Sequence, residues 1–222
     1  MEDILEEIKQ KEIRLTDTAI FTQIWLSPRR VFKYINDRKY DSFTTILVIF
    51  GGITNALSRA SDKHMGDNMS LLAVLLITVL GGGAFGWLSY YIYAALMSWS
   101  GKWLKAKGDT TTLFRMISYS LIPSLVILLL IVARILLIGN KEFQKDVDLF
   151  SEGILVALLC YICYFLEFML GIWTLFILIV GISEVQQISI GKAIVNLILP
   201  GAIIIAIIAP IAAIVYVVTH FL

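Results

Sequence analysis

Residues 153–181 read GILVALLCYICYFLEFMLGIWTLFILIVG, and the fold turns on how that run is read. A bilayer core of about 30 Å needs about 20 apolar residues in a helix. This run exceeds that length and carries a single charge, Glu167. No other charged side chain lies between Glu152 and Glu184. The stretch reads as a membrane span with one acid at its centre.

Working outward, three more runs reach spanning length: roughly 71–100, 113–138 and 193–218. A fifth, FTTILVIFGGITNALS at 43–58, is shorter and interrupted by Thr, Gly and Asn. The whole chain is 222 residues, 59% hydrophobic and 16% charged, with a mean hydropathy of +0.85. A soluble domain is nearer about 45–50% apolar and about 25% charged. The expected solvent is therefore lipid. The expectation is an all-α integral membrane protein with five transmembrane helices over residues 43–222. Residues 1–42 form an amphipathic, cytoplasmic amino-terminal region.

Lysine and arginine in the connections set orientation. With five spans, residues 1–42, 101–112 and 182–192 share a face and carry twelve basic residues. The opposite face, 59–70 and 139–152 with the carboxyl end, carries four. The amino terminus is thus expected in the cytoplasm and the carboxyl terminus outside, in a bacterial cytoplasmic membrane. The first 42 residues mix both signs of charge and lack the basic-then-apolar order of a cleaved signal. The net charge of +1 gives no reason to expect nucleic acid.

SPRRVFKYINDRKY, residues 27–40, reads as a helix with Ser27 at the N-cap and Pro28 at its first position. Val31, Phe32 and Ile35 share one face, surrounded by Arg29, Arg30, Lys33, Arg38 and Lys39. Such a helix either lies in the anionic inner leaflet or caps the protein's own bundle. Residues 2–15 read as a separate charged helix with a thin stripe of Ile4, Leu5 and Ile8. Arg115 and Arg134 are 19 residues apart, about 28 Å along a helix. That spacing puts each near one interface, where a long side chain can snorkel. Trp99 and Trp103 fit an interfacial aromatic belt.

Glu167 is fourteen residues from each end of its run, about 21 Å at the helical rise. An isolated charge at that depth is costly, so the acid must be neutral, paired or open to a wet interior. The functional reading is a proton relay or ion site. The structural one is a tie to Asn55, Ser118, Tyr119 or Asn196, or a reach toward Arg134. Gly82 and Gly86 form a Gly-x-x-x-Gly pair, expected to serve packing within the bundle, with homodimerisation as the alternative. Pro123, Pro200 and Pro210 fall inside apolar runs and can kink them. Cys160 and Cys163 read as packing residues rather than a redox pair.

Enzymatic signatures are absent: no H-E-x-x-H, no G-x-S-x-G and no phosphate cradle occur. Two histidines and a glycine-free KDVDLFSE give no metal pattern. No catalysis, cofactor or metal is expected.

Three stretches together resemble the Yip1 domain family: IWLSPRRVFKYI (24–35), YAALMSWSGKWLKAKGDTTTLFRMISYSLIP (93–123) and IWTLFILIVGISEVQQISIGKAI (172–194). The resemblance covers nearly the whole chain from about Phe21 and is to the prokaryotic-type members. It implies five membrane helices with a cytoplasmic amino terminus, and family-like positions at Trp25, Pro28, Tyr119, Pro123 and Glu184. Eukaryotic members bind lipid-modified small GTPases in vesicle traffic. The Asp and Gly of their motif are missing around Trp25-Leu26-Ser27-Pro28, which argues against transferring GTPase binding. The expected function is a non-enzymatic membrane adaptor. Arg29, Arg30, Lys33, Arg38, Lys39, Lys102, Lys105, Lys107, Arg115 and Glu184 would present a cytoplasmic surface to a partner protein or anionic lipid. The competing expectation is a transporter, channel or lipid-translocating protein built around Glu167.

Overall fold

The computed structural model describes residues 15–221, which form helices joined by short connections, with no strand among the described residues. The charged helix expected over 2–15 falls, Leu15 apart, outside the described residues. Eight α-helices follow in order: α1 (Asp17–Gln23), α2 (Pro28–Arg38), α3 (Thr44–Asp62), α4 (Leu71–Gly101), α5 (Thr110–Ser120), α6 (Ile122–Ile138), α7 (Ile154–Gln186) and α8 (Ile190–Phe221). Local chemistry starts several of them. Thr16 accepts from the Ala19 amide, Ser70 from Ala73, and Asp109 from Thr112, each satisfying an N-terminal N–H that has no partner within its helix. Ser27 and Pro28 occupy the expected first positions of α2, but the Ser27 hydroxyl makes no capping bond.

Four segments are long and apolar enough to cross a membrane: Leu71–Leu104, Ile122–Phe143, Ile154–Gln186 and Ile190–Pro210. Their outward faces carry large apolar side chains, among them Leu129 (68% exposed), Ile154 (71%) and Leu136 (81%). In water that surface would be an aggregation liability; in lipid it is the solvated face.

The run expected at 113–138 is two helices. Pro123 has no N–H to give the Tyr119 carbonyl and its ring crowds that turn. The chain breaks at Leu121, whose amide donates to Ser118 at 3.2 Å while its carbonyl accepts from Ser124 at 2.9 Å. Pro200 and Pro210, by contrast, sit within an unbroken α8.

The 19-residue α3 is less apolar and runs the length of the bundle. At one end its first residues meet α5, where the Phe43 amide donates to the Tyr119 hydroxyl at 3.3 Å. At the other, the Ser61 hydroxyl donates to the Glu142 carbonyl at 2.9 Å. Midway it presses backbone to backbone on α4. A Cβ on Gly52 would collide with the Gly82 carbonyl oxygen and lie 2.8 Å from Gly86 Cα. The Gly82 and Gly86 pair therefore packs within the bundle, as expected, and its counterpart is Gly52.

Two ends can now be distinguished. The tail end gathers α1, α2, residues 101–112 and the end of α7. There Ile20, Ile24, Val31, Phe32 and Ile35, each at most 2% exposed, share one core with residues of α4, α5, α7 and α8. The apolar face of α2 is thus filled by the protein itself, which decides between the two sequence readings and leaves none of it for the leaflet. The loop end joins residues 63–70 to 139–153. Asn140 donates its side-chain amide to the Gly66 and Met69 carbonyls at 3.0 and 3.3 Å. Phe143 turns inward to a fully buried place beside Leu57, Ala60, Val74 and Ile131. Cys160 is buried with Ile138, Leu149 and Ala157, and both cysteines are free thiols.

Candidate functional site

The loop end contains a buried ion cluster that answers the question posed by Glu167. Near the end of α6, Arg134 is 2% exposed. Gly139 adopts a positive φ of 58°, open to glycine at little cost, and turns the chain so that Glu142 returns over the helix it has just left. The Arg134 Nε donates to both Glu142 carboxylate oxygens at 3.1 and 3.0 Å, and Nη2 donates to Oε1 at 2.8 Å. From α7, Glu167 Oε2 lies 2.7 Å from Arg134 Nη1. That last contact is an ion pair by distance but not aligned as a hydrogen bond.

Tyr164, one turn before Glu167, closes the cluster. Its hydroxyl donates to Glu142 Oε2 at 3.0 Å, and its ring lies 4.1 Å from the Arg134 guanidinium carbon, within range of a cation–π contact. Ser58 on α3 donates to Glu167 Oε1 at 3.4 Å. One guanidinium thus faces two carboxyl groups: with both ionised the cluster carries a net charge of −1, and with one proton added it is neutral. In low dielectric such charges persist only when paired and hydrogen-bonded.

Beyond Glu167 opens a cavity of about 310 Å³ between α3, α6 and α7. Thr54, Asn55, Ser58, Ser124 and Thr174 line it. Glu167 is thus both paired and open to a cavity that these polar groups share with Leu121 and Ile127, with 22% of its side chain exposed. On the other side of α3 a second cavity, about 460 Å³, shares Asn55 and Tyr90 with the first.

The two arginines expected to snorkel do not. Arg134 is buried as described. Arg115 is 5% exposed and clasps Asp41 through Nε–Oδ1 at 2.5 Å and Nη2–Oδ2 at 3.0 Å. Spacing along one helix suggested interfacial anchoring; each guanidinium instead found an acid from a distant part of the chain. Of the other partners considered for Glu167, Asn55 shares its cavity but the rest lie elsewhere. Ser118 donates to the Phe114 carbonyl, Tyr119 accepts from Phe43, and Asn196 donates to Met97 and Ser100.

At the tail end, most family-like positions fasten rather than display. Tyr119 is fully buried, Pro28 and Pro123 are buried, and Trp25 packs on the tail core. Glu184 pairs with Arg29 at 3.4 Å, tying α2 to α7. Tyr40 donates to Asp17 at 2.5 Å, and burial together with that acid raises its hydroxyl pKa above the ordinary value. Hydrogen bonds from Thr112 hold the Asp109 carboxyl below the usual carboxylate value. Arg30, Lys33, Arg38, Lys39, Lys102, Lys105 and Lys107 remain exposed. Trp99 and Trp103 stand beside them, stacked edge to face at 5.0 Å and 47% and 60% exposed.

With this geometry in view, the chain matches the Yip1 domain over residues 22–211. The chain belongs to the Yip1 domain family. It is accordingly a multi-pass membrane protein, and its family is one of membrane proteins not known for catalysis. No curated protein and no solved structure matches it.

Sequence reasoning missed Glu142, Tyr164 and Ser58. Tyr164 stands three residues before Glu167, a helical neighbour by spacing alone. Glu142 had no such signal, because only the turn at Gly139 brings it back over α6.

Proposed function

We propose that this Yip1 protein is a non-enzymatic membrane organiser whose tail end is a rigid, basic docking plate facing the cytoplasm. One observation carries the reading. The apolar faces of α1 and α2 are consumed in the protein's own core, while the basic side chains of α2, Arg30, Lys33 and Arg38, with Lys39 at its end, stay exposed, as do Lys102, Lys105 and Lys107. A plate so fixed loses little conformational freedom on binding, and its charge steers acidic partners toward it. The ligand class is an acidic protein surface, with anionic headgroups of the adjoining leaflet as competitor.

Five crossings, with α3 as the fifth span, complete the proposal. What supports them is the reach of α3 from the Tyr119 contact to the Glu142 contact, together with the twelve-to-four bias in basic residues. A bacterial cytoplasmic membrane, amino terminus inside, is the setting that fits.

The test reverses charge without touching the core: Arg30→Glu, Lys33→Glu, Arg38→Glu and Lys39→Glu together. Proteins recovered with the wild-type chain from native membranes should be lost from the variant while its insertion and amount are unchanged. Equal recovery would reject the plate.

A second reading rests on the cavity at Glu167. A carboxyl group reaching a polar cavity from the middle of a span is an arrangement transporters use. Glu167→Gln should then abolish solute or lipid flux in proteoliposomes, and flux equal to wild type would end that reading.

A further inference from the structure

The larger cavity lies between α3 and α4 on the side of α3 away from the ion cluster, and it has a chemistry of its own. Asn55, Arg59 and Lys63 line it from α3. Gly81, Phe85 and Tyr90 line it from α4. Its volume of about 460 Å³ falls within the range of ligand-holding clefts, about 300–1,000 Å³.

Arg59 and Lys63 are four residues apart, so they stand one above the other on the same face. Like charges at that spacing oppose each other, and among the described residues neither forms an ion pair within 4 Å. Arg29, Arg115, Arg134 and Lys141 each have a carboxylate, whereas Arg59 and Lys63 are exposed and unpaired like the plate cations, but unlike those they share one cleft. The acids nearby do not relieve them. Asp62 lies beyond 4 Å of both, and Asp67 already accepts from the Lys145 amide at 3.1 Å. Two cations without partners therefore sit in the last turn and at the C-cap of α3. In a bundle whose outward faces meet lipid, that is the depth at which headgroups begin.

The rest of the cleft suits a chain. Ile77 and Phe85, 49% and 67% exposed, form an apolar wall open to the surrounding lipid. Between them the helix surface falls away at Gly81, where an added Cβ would find no atom within 4 Å. The neighbouring Gly82 and Gly86 hold α3 close, while Gly81 leaves a trough beside that contact. A free anion has no use for an apolar trough, whereas a lipid has use for both parts.

We infer that the α3–α4 cleft binds one acidic phospholipid, its phosphate between Arg59 and Lys63 and an acyl chain along Gly81 and Phe85. The site lies at the loop end, opposite the basic plate, and does not depend on which partner that plate recruits.

The test uses the full chain in nanodiscs of equal phosphatidylcholine and phosphatidylglycerol, released gently and weighed by native mass spectrometry. Wild type should retain one phosphatidylglycerol. Arg59→Gln with Lys63→Gln should lower that occupancy at least tenfold, whereas Lys192→Gln, an exposed cation at the tail end outside the plate, should leave it unchanged. Gly81→Leu supplies an independent arm, because it fills the trough in open space and leaves both cations and the α3–α4 contact intact. It should lower occupancy several-fold in a protein of unaltered thermal stability. Retention unchanged in both cleft variants would overturn the inference. So would equal loss in Lys192→Gln, or displacement of the lipid by millimolar inorganic phosphate, which would mark a simple anion site.

Discussion

The two ends of this bundle handle charge in opposite ways. At the tail end each pair keeps one member in water: Arg115 is buried but its Asp41 has a side chain 60% exposed, and Arg29 keeps 64% exposure beside Glu184 at 25%. At the loop end the Glu142 side chain is fully buried and that of Arg134 is 3% exposed. Exposed pairs contribute little, because water and salt screen them. A buried pair is different in kind. Its desolvation cost is large, so removing one partner leaves a charge with nowhere to go. The tail end can therefore vary its charges to suit a partner, while the loop end must keep its cluster whole.

The sharpest way to break this contrast is Arg134→Leu. Stranding Glu142 and Glu167 should cost about 3–5 kcal/mol, read as a collapse of thermal unfolding temperature in detergent. Leucine or methionine at all three positions should recover most of the loss, since apolar replacement of a buried ion cluster is often neutral. A single variant as stable as wild type would remove the distinction between the ends.

Next in size is Gly52→Leu, at the close contact that keeps the ends in register. The new side chain would meet the Gly82 carbonyl oxygen and the Gly86 backbone rather than a flexible side chain. Overpacking of this kind costs typically 1–3 kcal/mol, and the rigid neighbours favour the upper part of that range. Gly81→Leu, one residue from Gly82 but facing open space, should be near neutral. Equal losses in both would show that the contact is not specific.

The smallest effect sharpens the tail end. Asp109 caps α5 through the Thr112 amide at 2.7 Å, and replacing such a cap by Ala costs about 0.5–2 kcal/mol. Because its folded pKa is lowered, Asp109 contributes most above the unfolded value of about 3.9. The contribution is lost as pH falls through the lowered folded value. The difference between wild type and Asp109→Ala in unfolding temperature should accordingly shrink in acid. A difference independent of pH would show that the carboxylate charge is irrelevant there.

Much of this architecture is legible in the residues. Apolar runs of spanning length locate the four long helices, because in lipid every backbone group must be satisfied within a helix. Gly82 and Gly86 announce a close contact, and lone Glu167 announces a buried polar site with Arg134 among its partners. What sequence does not disclose is what depends on the path of the chain between elements. Glu142 belongs to Arg134 only through the turn at Gly139, and Asp41 belongs to Arg115 only because the tail folds back on the bundle. The break at Leu121 has a local cause in Pro123, yet the same residue type leaves α8 continuous at Pro200 and Pro210, so the residue type alone does not predict a break. The face of Val31, Phe32 and Ile35 is equally ambiguous: amphipathicity says that a face is buried, not against what.

The proposed crossing by α3 puts the basic plate and the loops at 63–70 and 139–153 on opposite sides of the membrane. Single cysteines at Arg30 and at Lys145, in a chain with Cys160 and Cys163 replaced by serine, test this directly with a membrane-impermeant maleimide. Lys145→Cys should react in intact spheroplasts, and Arg30→Cys only after the membrane is opened. Reaction of both from the same side would contradict five crossings and the functional division between the two ends.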